Sequence, residues 1–258
     1  MLARVIAEQT GIHHAPDRQY LLESRLAPLL KKHSIHSLET LGEVLVRTPP
    51  GQEPWLSVYD AISTGESYFL RDRQGLDLIF SALLPELSRS DLSRTILSAG
   101  CSSGEEIYTL AILRLLSGFS SPVRLEGIDL SPVQLQKARE GRYDSRAVRF
   151  LEKTAIDRYF EHDGKIYRVK DSVRENIRFC QGNILSLDQD RPPGSVSGIL
   201  CRNVVIYFDD EARKKMINAF YQILEKGGFL ILGAGENLPD AGRPFRIESH
   251  MGVSVYRK

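Results

Sequence analysis

The pattern of apolar residues changes near Arg94, and this change restricts the folds that the chain can adopt. From there on, short apolar runs alternate with amphipathic runs of helical period, as in RTILSAG followed by EEIYTLAILRLLSG. Parallel strands need long crossover connections, usually helices, so the alternation predicts a Rossmann-like α/β sheet. We expect residues 61–258 to form this main domain.

Residues typical of helix ends support this alternation of strands and helices. Ser131 followed by Pro132 has the form of an N-cap and a first-turn proline, and Asp209 has the form of a second N-cap. Gly141 and Gly227 are predicted to end the two helices that follow these caps.

The first part of the chain has a helical pattern instead. DRQYLLESRLAPLLKKHS carries its leucines on one stripe, a second amphipathic run follows from Ser37 to Arg47, and TPPGQEP interrupts it. Residues 1–60 are therefore predicted to form a small helical N-terminal domain. A short β insertion is predicted at about residues 160–179, with a hairpin turn at Asp163 and Gly164.

Composition and charge narrow the function classes. The formal net charge of +1 gives no overall field that would attract nucleic acid. The three cysteines, Cys101, Cys180 and Cys201, lack metal-ligand or disulfide-framework spacing, and the histidines form no zinc motif, so no metal is expected. The apolar runs are too short to cross a bilayer, and we expect a cytoplasmic protein. A monomer is the default expectation.

The first predicted strand leads into GCSSGEE, which places Gly100 and Gly104 in a turn that opens a helix and suits a nucleotide-like ligand. Glu105 and Glu106 would repel a pyrophosphate and favour a ligand that carries a cation, such as S-adenosylmethionine. Alternatively, both acids only complement the helix N-terminus. Asp129 follows the second strand, where an acid can bind ribose hydroxyls or serve as an ordinary turn residue.

Several ordered motifs resemble those of the bacterial chemoreceptor glutamate methyltransferases. They are ISTGESYFLRD, AGCSSGEEIYTLA, GIDLSPVQLQKAREGRY, QGNILSL and CRNVVIYFDD, and the resemblance extends into the helical N-terminal segment. It implies an S-adenosylmethionine-dependent methyltransferase that esterifies glutamate side chains on the cytoplasmic helical domain of a chemoreceptor.

The resemblance also assigns roles to residues that match its motifs. Arg71 and Tyr207 are expected at the transfer site, with Arg71 also touching the cofactor. The expected cofactor contacts are Ser67, Gly100, Glu106, Asp129, Asn183, Ile184, Arg202 and Asn203.

Two positions depart from the family pattern. Gly65 stands where many members have asparagine, so one side-chain cofactor contact is missing, and Ile107 replaces a frequent proline. The short β insertion also puts recognition of a receptor's C-terminal peptide in doubt.

The chemistry of a glutamate nucleophile fits this residue set. Its reference pKa lies near 4.3, so the carboxylate is ionised at neutral pH and needs no general base. Tyr207 and Arg71 would then act by orienting it against the methyl group.

A basic stripe provides a candidate receptor contact. Arg18, Arg25 and Lys32 recur every seven residues and share one side of a helix, where they meet acidic receptor helices or form a solvated face.

Three other functions compete with this interpretation. A methyltransferase for nucleic acid or a small molecule would share the cofactor motifs, but base methylation usually shows a D-P-P-Y-like strand end where this chain has CRNVVIY. A sensor or scaffold would bind the cofactor without catalysis. A nicotinamide dehydrogenase would need a third glycine in the turn.

Overall fold

The computed structural model describes residues 1–13, 19–87, 94–238 and 244–258. Arg18, one of the three residues of the predicted basic stripe, lies outside these ranges. Within them, no helix combines the length and apolarity needed to span a membrane.

Helices surround a central sheet and also form the first part of the chain, as the sequence predicted. The predicted caps at Ser131 and Asp209 are confirmed, since each side chain accepts a hydrogen bond from a backbone N–H three residues later. The α-helices are α1 (Leu2–Thr10), α2 (Gln19–Lys32), α3 (Leu38–Arg47), α4 (Trp55–Ile62), α5 (Arg73–Leu78), α6 (Leu84–Glu86), α7 (Glu105–Ser117), α8 (Pro132–Glu140), α9 (Lys153–Tyr159), α10 (Asp171–Arg174), α11 (Leu187–Asp190) and α12 (Asp210–Ile223), with a π-helical turn at Ile79–Leu83 and a 3-10 turn at Val205–Tyr207.

The strands of the described residues form two sheets. They are β1 (Arg94–Ala99), β2 (Val123–Asp129), β3 (Arg142–Asp144), β4 (Phe160–His162), β5 (Ile166–Val169), β6 (Ile177–Gln181), β7 (Val196–Cys201), β8 (Leu224–Leu232), β9 (Arg246–His250) and β10 (Val253–Arg257).

The seven-stranded main sheet has the order β6-β2-β1-β7-β8-β10-β9. The pairs from β6 to β8 are parallel, which confirms the predicted Rossmann-like α/β class. The chain moves outward from β1 through β2 in one direction and from β7 to β8 in the other. The strand order therefore reverses between β1 and β7, where doubly wound sheets bind their ligands.

The C-terminal edge of this sheet differs from the sequence prediction. β10 pairs antiparallel with both β8 and β9, and this hairpin was not predicted. Gly227, predicted to end the last helix, lies within β8 instead. The helix α12 already ends at Ile223, and the next residue, Leu224, pairs with Val196 as the first residue of β8.

The small insertion is a three-stranded antiparallel sheet in the order β3-β5-β4. The predicted hairpin turn is present, and the Asp163 carboxylate accepts hydrogen bonds from the backbone of Lys165 and Ile166. The sheet begins earlier than the sequence indicated, at β3. Residues 177–179, assigned to the end of the insertion from sequence, instead belong to the edge strand β6 of the main sheet.

In the described ranges, buried apolar residues form three clusters. One covers each face of the main sheet, and the third lies among α1 to α4. The third cluster contains Leu22 and Leu26 of α2 with Leu41 and Leu45 of α3, whereas Leu21 of the predicted leucine stripe is exposed. Its position brings the N-terminal helices next to the carboxyl ends of the main-sheet strands, where Ile12 pairs with Phe208.

Candidate active site

A deep pocket opens where the main-sheet strands end and the strand order reverses. It has an empty volume of about 1020 Å³ including its mouth, enough for a nucleoside-sized ligand. Its walls come from the turn after β1, the end of β2, the loop after β7 and the segment that joins α4 to α5. Thr10 and Ile12 of the N-terminal region close one side.

The turn after β1 brings backbone close to this pocket. Gly100 has a φ of 82°, and a side chain there would approach Val204 Cγ2 to 2.6 Å. A glycine is therefore needed both for the left-handed backbone and for the close packing of the two loops. The backbone N–H of Ser102 in the same turn donates to Asp129 Oδ2 at 2.8 Å.

Asp129 lines the pocket at the end of β2. Its other oxygen, Oδ1, accepts a hydrogen bond from the backbone N–H of Ser131 at 2.9 Å. Burial raises the pKa of this carboxyl, and the hydrogen bonds from Ser131 and Ser102 act in the opposite direction. The carboxylate is thus fixed in orientation and would gain from a further pair of donors.

Glu106 and Arg202 form an ion pair in the wall of the pocket. Arg202 Nη1 lies 2.7 Å from Glu106 Oε2, and Glu106 Oε1 accepts from the Ser98 hydroxyl at 2.7 Å. The Arg202 side chain is only 3% exposed. Its second nitrogen donates to the backbone carbonyls of Arg71 and Asp72. Arg202 therefore ties the segment that carries Arg71 to the sheet.

The segment between α4 and α5 supplies Arg71 to the pocket. Arg71 Nη1 donates to the carbonyl of Glu66 at 3.0 Å, and its guanidinium carbon lies 5.6 Å from the centre of the Tyr68 ring. In the described part of the chain no carboxylate forms an ion pair with Arg71. Ser67 also lines the pocket, and burial raises the pKa of the Glu105 carboxyl, which accepts from the Ser103 hydroxyl at 2.9 Å.

Tyr207 stands at the mouth of the pocket on the 3-10 turn after β7, and its side chain is 36% exposed. Its hydroxyl accepts a hydrogen bond from Thr64 Oγ1 at 2.9 Å, which leaves the phenolic proton free to donate. Asn203, two residues after β7, lines the same wall with a φ of 59°.

The structure places Asn183 beside the pocket but not in its lining. Its Nδ2 donates to the carbonyl of Gln9 at 2.7 Å, and its Oδ1 accepts from the Leu185 backbone at 3.0 Å. The adjacent residues Gly182 and Ile184 do line the pocket. The Asn183 side chain thus joins α1 to the loop after β6.

The family departure at Gly65 has a structural counterpart. A side-chain carbon at position 65 would lie 2.3 Å from Nε2 of Gln134, so the Gln134 amide occupies the space that a larger residue would need. Gln134 and Gly65 both line the pocket. A glutamine amide from α8 therefore stands where the amide of an asparagine at position 65 would begin.

Arg25 and Lys32 of the predicted basic stripe are exposed on α2 but have structural partners. Arg25 donates to the carbonyl of Ile62, the last residue of α4, at 3.3 Å. Lys32 donates to Ser57 at 2.7 Å and lies 3.5 Å from Glu53. Both side chains therefore hold α2 against α4.

Two of the three cysteines are buried thiols. Cys101 and Cys201 are buried, and burial raises the pKa of each thiol well above its usual range, reinforced by nearby carboxylates. Cys101 lines the pocket as a neutral thiol. The described ranges contain no cluster of three or more histidine, cysteine or acidic side chains that could hold a metal ion.

Among the residues at the site that escaped sequence reasoning, three hold its loops or form part of its wall. Glu236 accepts from the backbone N–H of Asn203 at 2.7 Å and of Ile206 at 3.2 Å, and so fixes the loop that carries Tyr207. Thr64 and Gln134 are the others. The sequence signal for Glu236 is its position just after the β8 strand end, in GAGEN, whereas the two polar residues have no distinguishing signal.

A family model matches the part of the chain that forms most of this pocket. The model described as CheR methyltransferase, SAM binding domain, matches residues 65–252, a span that includes most of the pocket's lining. The chain belongs to this family. It is an S-adenosylmethionine-dependent methyltransferase, as the sequence motifs predicted.

Curated relatives are similar in sequence over nearly the whole chain. The chemotaxis protein methyltransferase of Vibrio parahaemolyticus serotype O3:K6 is 34% identical over 92% of this chain and 87% of its own. Chemotaxis protein methyltransferase 1 of Pseudomonas aeruginosa is 34% identical over 93% of this chain and 91% of its own. Chemotaxis protein methyltransferase 2 of Vibrio cholerae serotype O1 is 31% identical over 97% and 87%, respectively. The similarity therefore includes the N-terminal helices.

Proposed function

We propose that this enzyme transfers the methyl group of S-adenosylmethionine to glutamate carboxylates on the cytoplasmic helical domain of a chemoreceptor and forms methyl esters. The reaction takes place in the cytoplasm, with the enzyme acting as a monomer. One observation carries the substrate assignment: Arg71 and the Tyr207 hydroxyl both line the pocket mouth with donors directed to no carboxylate of the described chain. Both are groups that recognise an anionic oxygen.

The base of the pocket fits the cofactor. The carboxylate of Glu106 retains acceptor capacity for the ammonium beside its Ser98 and Arg202 partners. Asp129 would accept the ribose hydroxyls, and the adenine would lie against Gly182 and Ile184. The remaining predicted contacts, Ser67, Gly100, Arg202 and Asn203, also line this space.

The substrate carboxylate would be held by Arg71 and Tyr207. When bound, S-adenosylmethionine supplies a methyl group on a positively charged sulfur. A carboxylate oxygen forms the new bond to the methyl carbon while the carbon–sulfur bond breaks, and its electron pair remains on sulfur in S-adenosylhomocysteine. No proton moves, because the carboxylate is already ionised at neutral pH.

Orientation is then the main task of these two residues. A strong, permanent pairing of Arg71 with the substrate would stabilise the charged ground state more than the charge-dispersed transition state. Arg71 is partly exposed at the pocket mouth, which moderates its attraction for a carboxylate. The Tyr207 hydroxyl, restrained by Thr64, would direct one substrate oxygen toward the methyl group.

The direct test is transfer of a labelled methyl group to a purified receptor cytoplasmic fragment, followed by treatment with alkali. A glutamyl ester releases volatile labelled methanol, whereas a methylated amine does not. Labelled methanol from the wild-type reaction, and much less from Arg71→Ala and Tyr207→Phe, is the expected result. An alkali-stable product would overturn the glutamate substrate, and bound cofactor without any transfer would favour a sensor.

A further inference from the structure

An exposed stack of aromatic and arginine side chains extends from the mouth of the pocket. The Arg149 guanidinium carbon lies 4.0 Å from the centre of the Tyr68 ring and 4.7 Å from that of Phe150. The two rings are themselves 5.2 Å apart. Phe150 is 56% exposed, although large apolar side chains are usually buried. We define this cluster, Tyr68, Arg149 and Phe150, as the stacked rim.

The stacked rim is continuous with the proposed transfer site. Tyr68 lines the pocket, and the Arg71 guanidinium lies over the same Tyr68 ring at 5.6 Å. Arg71 and Arg149 therefore both approach a single ring, and their charged groups are separated by no more than about two turns of an α-helix, roughly 11 Å.

The turn that carries Arg149 is firmly attached to the protein. Ala147 and Val148 are buried, and the Ala147 carbonyl accepts a hydrogen bond from the Phe69 backbone at 2.9 Å. The Asp144 carboxylate accepts from the backbone of the same turn, at Arg146 and Ala147. The exposed arginines are thus presented on a rigid support.

The charges of the stacked rim and its neighbour are not neutralised by ion pairs. Within the described ranges, neither Arg146 nor Arg149 forms an ion pair, in contrast to Arg73 with Asp77 at 3.0 Å. Aromatic rings support the face of the Arg149 guanidinium, and its Nη1 donates to the carbonyl of Arg146, which leaves the rest of its edge available for donation to a partner. Glu66 lines the pocket, and the Asp144 carboxylate is engaged by the backbone of its own turn.

We propose that the stacked rim, with Arg146 beside it, docks an acidic helix that carries the glutamate to be methylated. This inference rests on the proposed function and names how its substrate is selected. Arg71 would meet the accepting glutamate, and Arg149 would meet a second carboxylate one or two helical turns away on the same face. Charge complementarity of this kind gives register and orientation, and it weakens with salt.

The test uses methylation kinetics of a receptor cytoplasmic fragment with Arg149→Ala and Arg149→Glu. Arg124, an exposed arginine near the opposite end of β2, provides the matched control Arg124→Ala. We expect Arg149→Ala to raise the fragment KM about fivefold and Arg149→Glu to raise it further, with a weaker salt dependence of kcat/KM. The turnover at saturation and the S-adenosylhomocysteine affinity should stay unchanged, which also shows that the variants are folded.

The receptor side of the same contact is tested by replacing the second acidic residue of the fragment by glutamine. In the wild-type enzyme it should raise KM by a similar factor, and in Arg149→Ala it should add nothing. An unchanged KM in both Arg149 variants, or an equal effect of Arg124→Ala, overturns the proposed docking. Failure of the wild-type enzyme to esterify the fragment would overturn the proposed function itself, so the two failures are distinguishable.

Discussion

At the scale of single residues, the carboxylates of the pocket are positioned by the protein itself. Asp129 accepts two backbone N–H groups, and Glu106 accepts from Ser98 and Arg202. Acceptors that are already oriented need little reorganisation when ligand donors arrive. We therefore expect the affinity for the cofactor to fall when the negative charge of either carboxylate is removed.

Asp129→Ala is expected to weaken S-adenosylhomocysteine binding at least about tenfold, because it removes charge-assisted hydrogen bonds worth roughly 1.5–3 kcal/mol. Calorimetry measures the loss, with Asp188→Ala, an exposed acid on α11, as the control. Unchanged affinity in folded Asp129→Ala would refute the ribose assignment.

Asp129 should also make the affinity for the cofactor depend on pH. Burial raises the Asp129 pKa above the ordinary 3.8, and ribose donors require the ionised form. Binding then releases a proton at low pH, so affinity should be level near neutrality and fall as pH drops through the raised pKa. Asp129→Asn should remove this component of the acid dependence.

The Gly65 and Gln134 pair gives a second residue-scale prediction. Gly65→Asn should weaken cofactor binding, because the new side chain has to displace the Gln134 amide from its place in the pocket wall. Shortening the neighbour in Gly65→Asn/Gln134→Ala should restore part of the affinity. Calorimetry that finds both variants equally weak would mean that the collision is not the cause.

At the scale of elements, loops at the strand ends support one another. Glu236, just after β8, holds the backbone of Asn203, Ile206 and Gly233 and so fixes the 3-10 turn with Tyr207. The Glu236 side chain is buried, and the three donors would lose a charged acceptor together if it were neutralised.

Glu236→Gln should therefore lower turnover more than cofactor affinity and reduce the free energy of unfolding by about 1–3 kcal/mol. The exposed acid Glu175 provides the control Glu175→Gln. Steady-state kinetics and urea unfolding measure the two effects. Normal turnover with a fully folded variant would show that Tyr207 is held by other contacts.

Sequence reasoning worked best for elements with strong local signals. The cap at Ser131 and the hairpin at Asp163 depend on nearby residues, and both were predictable. The role of β6 was missed because its partly exposed edge strand lacks a continuous apolar run. The C-terminal strand β10 depends on antiparallel pairing with β8, which no local pattern specifies, and β9 in turn pairs with β10.

The residues of the candidate site also fall into those that local sequence signals predict and those that depend on distant contacts. Glycines and acids at strand ends, such as Gly100 and Asp129, could be predicted because a parallel sheet gathers its carboxyl ends. Thr64 could not, because its bond to Tyr207 joins residues 143 positions apart. The use of Asn183 as a support for Gln9 likewise depends on how α1 packs.

At the scale of the whole molecule, the N-terminal helices complete the pocket. The carbonyl of Tyr207 accepts from the His13 backbone at 2.8 Å, and the Asp60 carboxylate of α4 accepts from Ser131 at 2.5 Å. The amphipathic pattern predicted these helices, but not their position over the strand ends. They help to form a partly enclosed space, in which a charge-consuming transfer is favoured by limited access of water.

The most direct test of the mechanism is the pH profile of turnover at saturating cofactor and receptor fragment. A carboxylate nucleophile that needs no base predicts a rate that rises through about pH 4–5 and stays flat from about pH 6 to 9. Cys101, the thiol in the pocket, has its pKa raised well above the usual range and should not contribute. A rate that climbs steeply between about pH 6 and 9 would indicate deprotonation of an amine or thiol and would contradict methylation of a glutamate carboxylate.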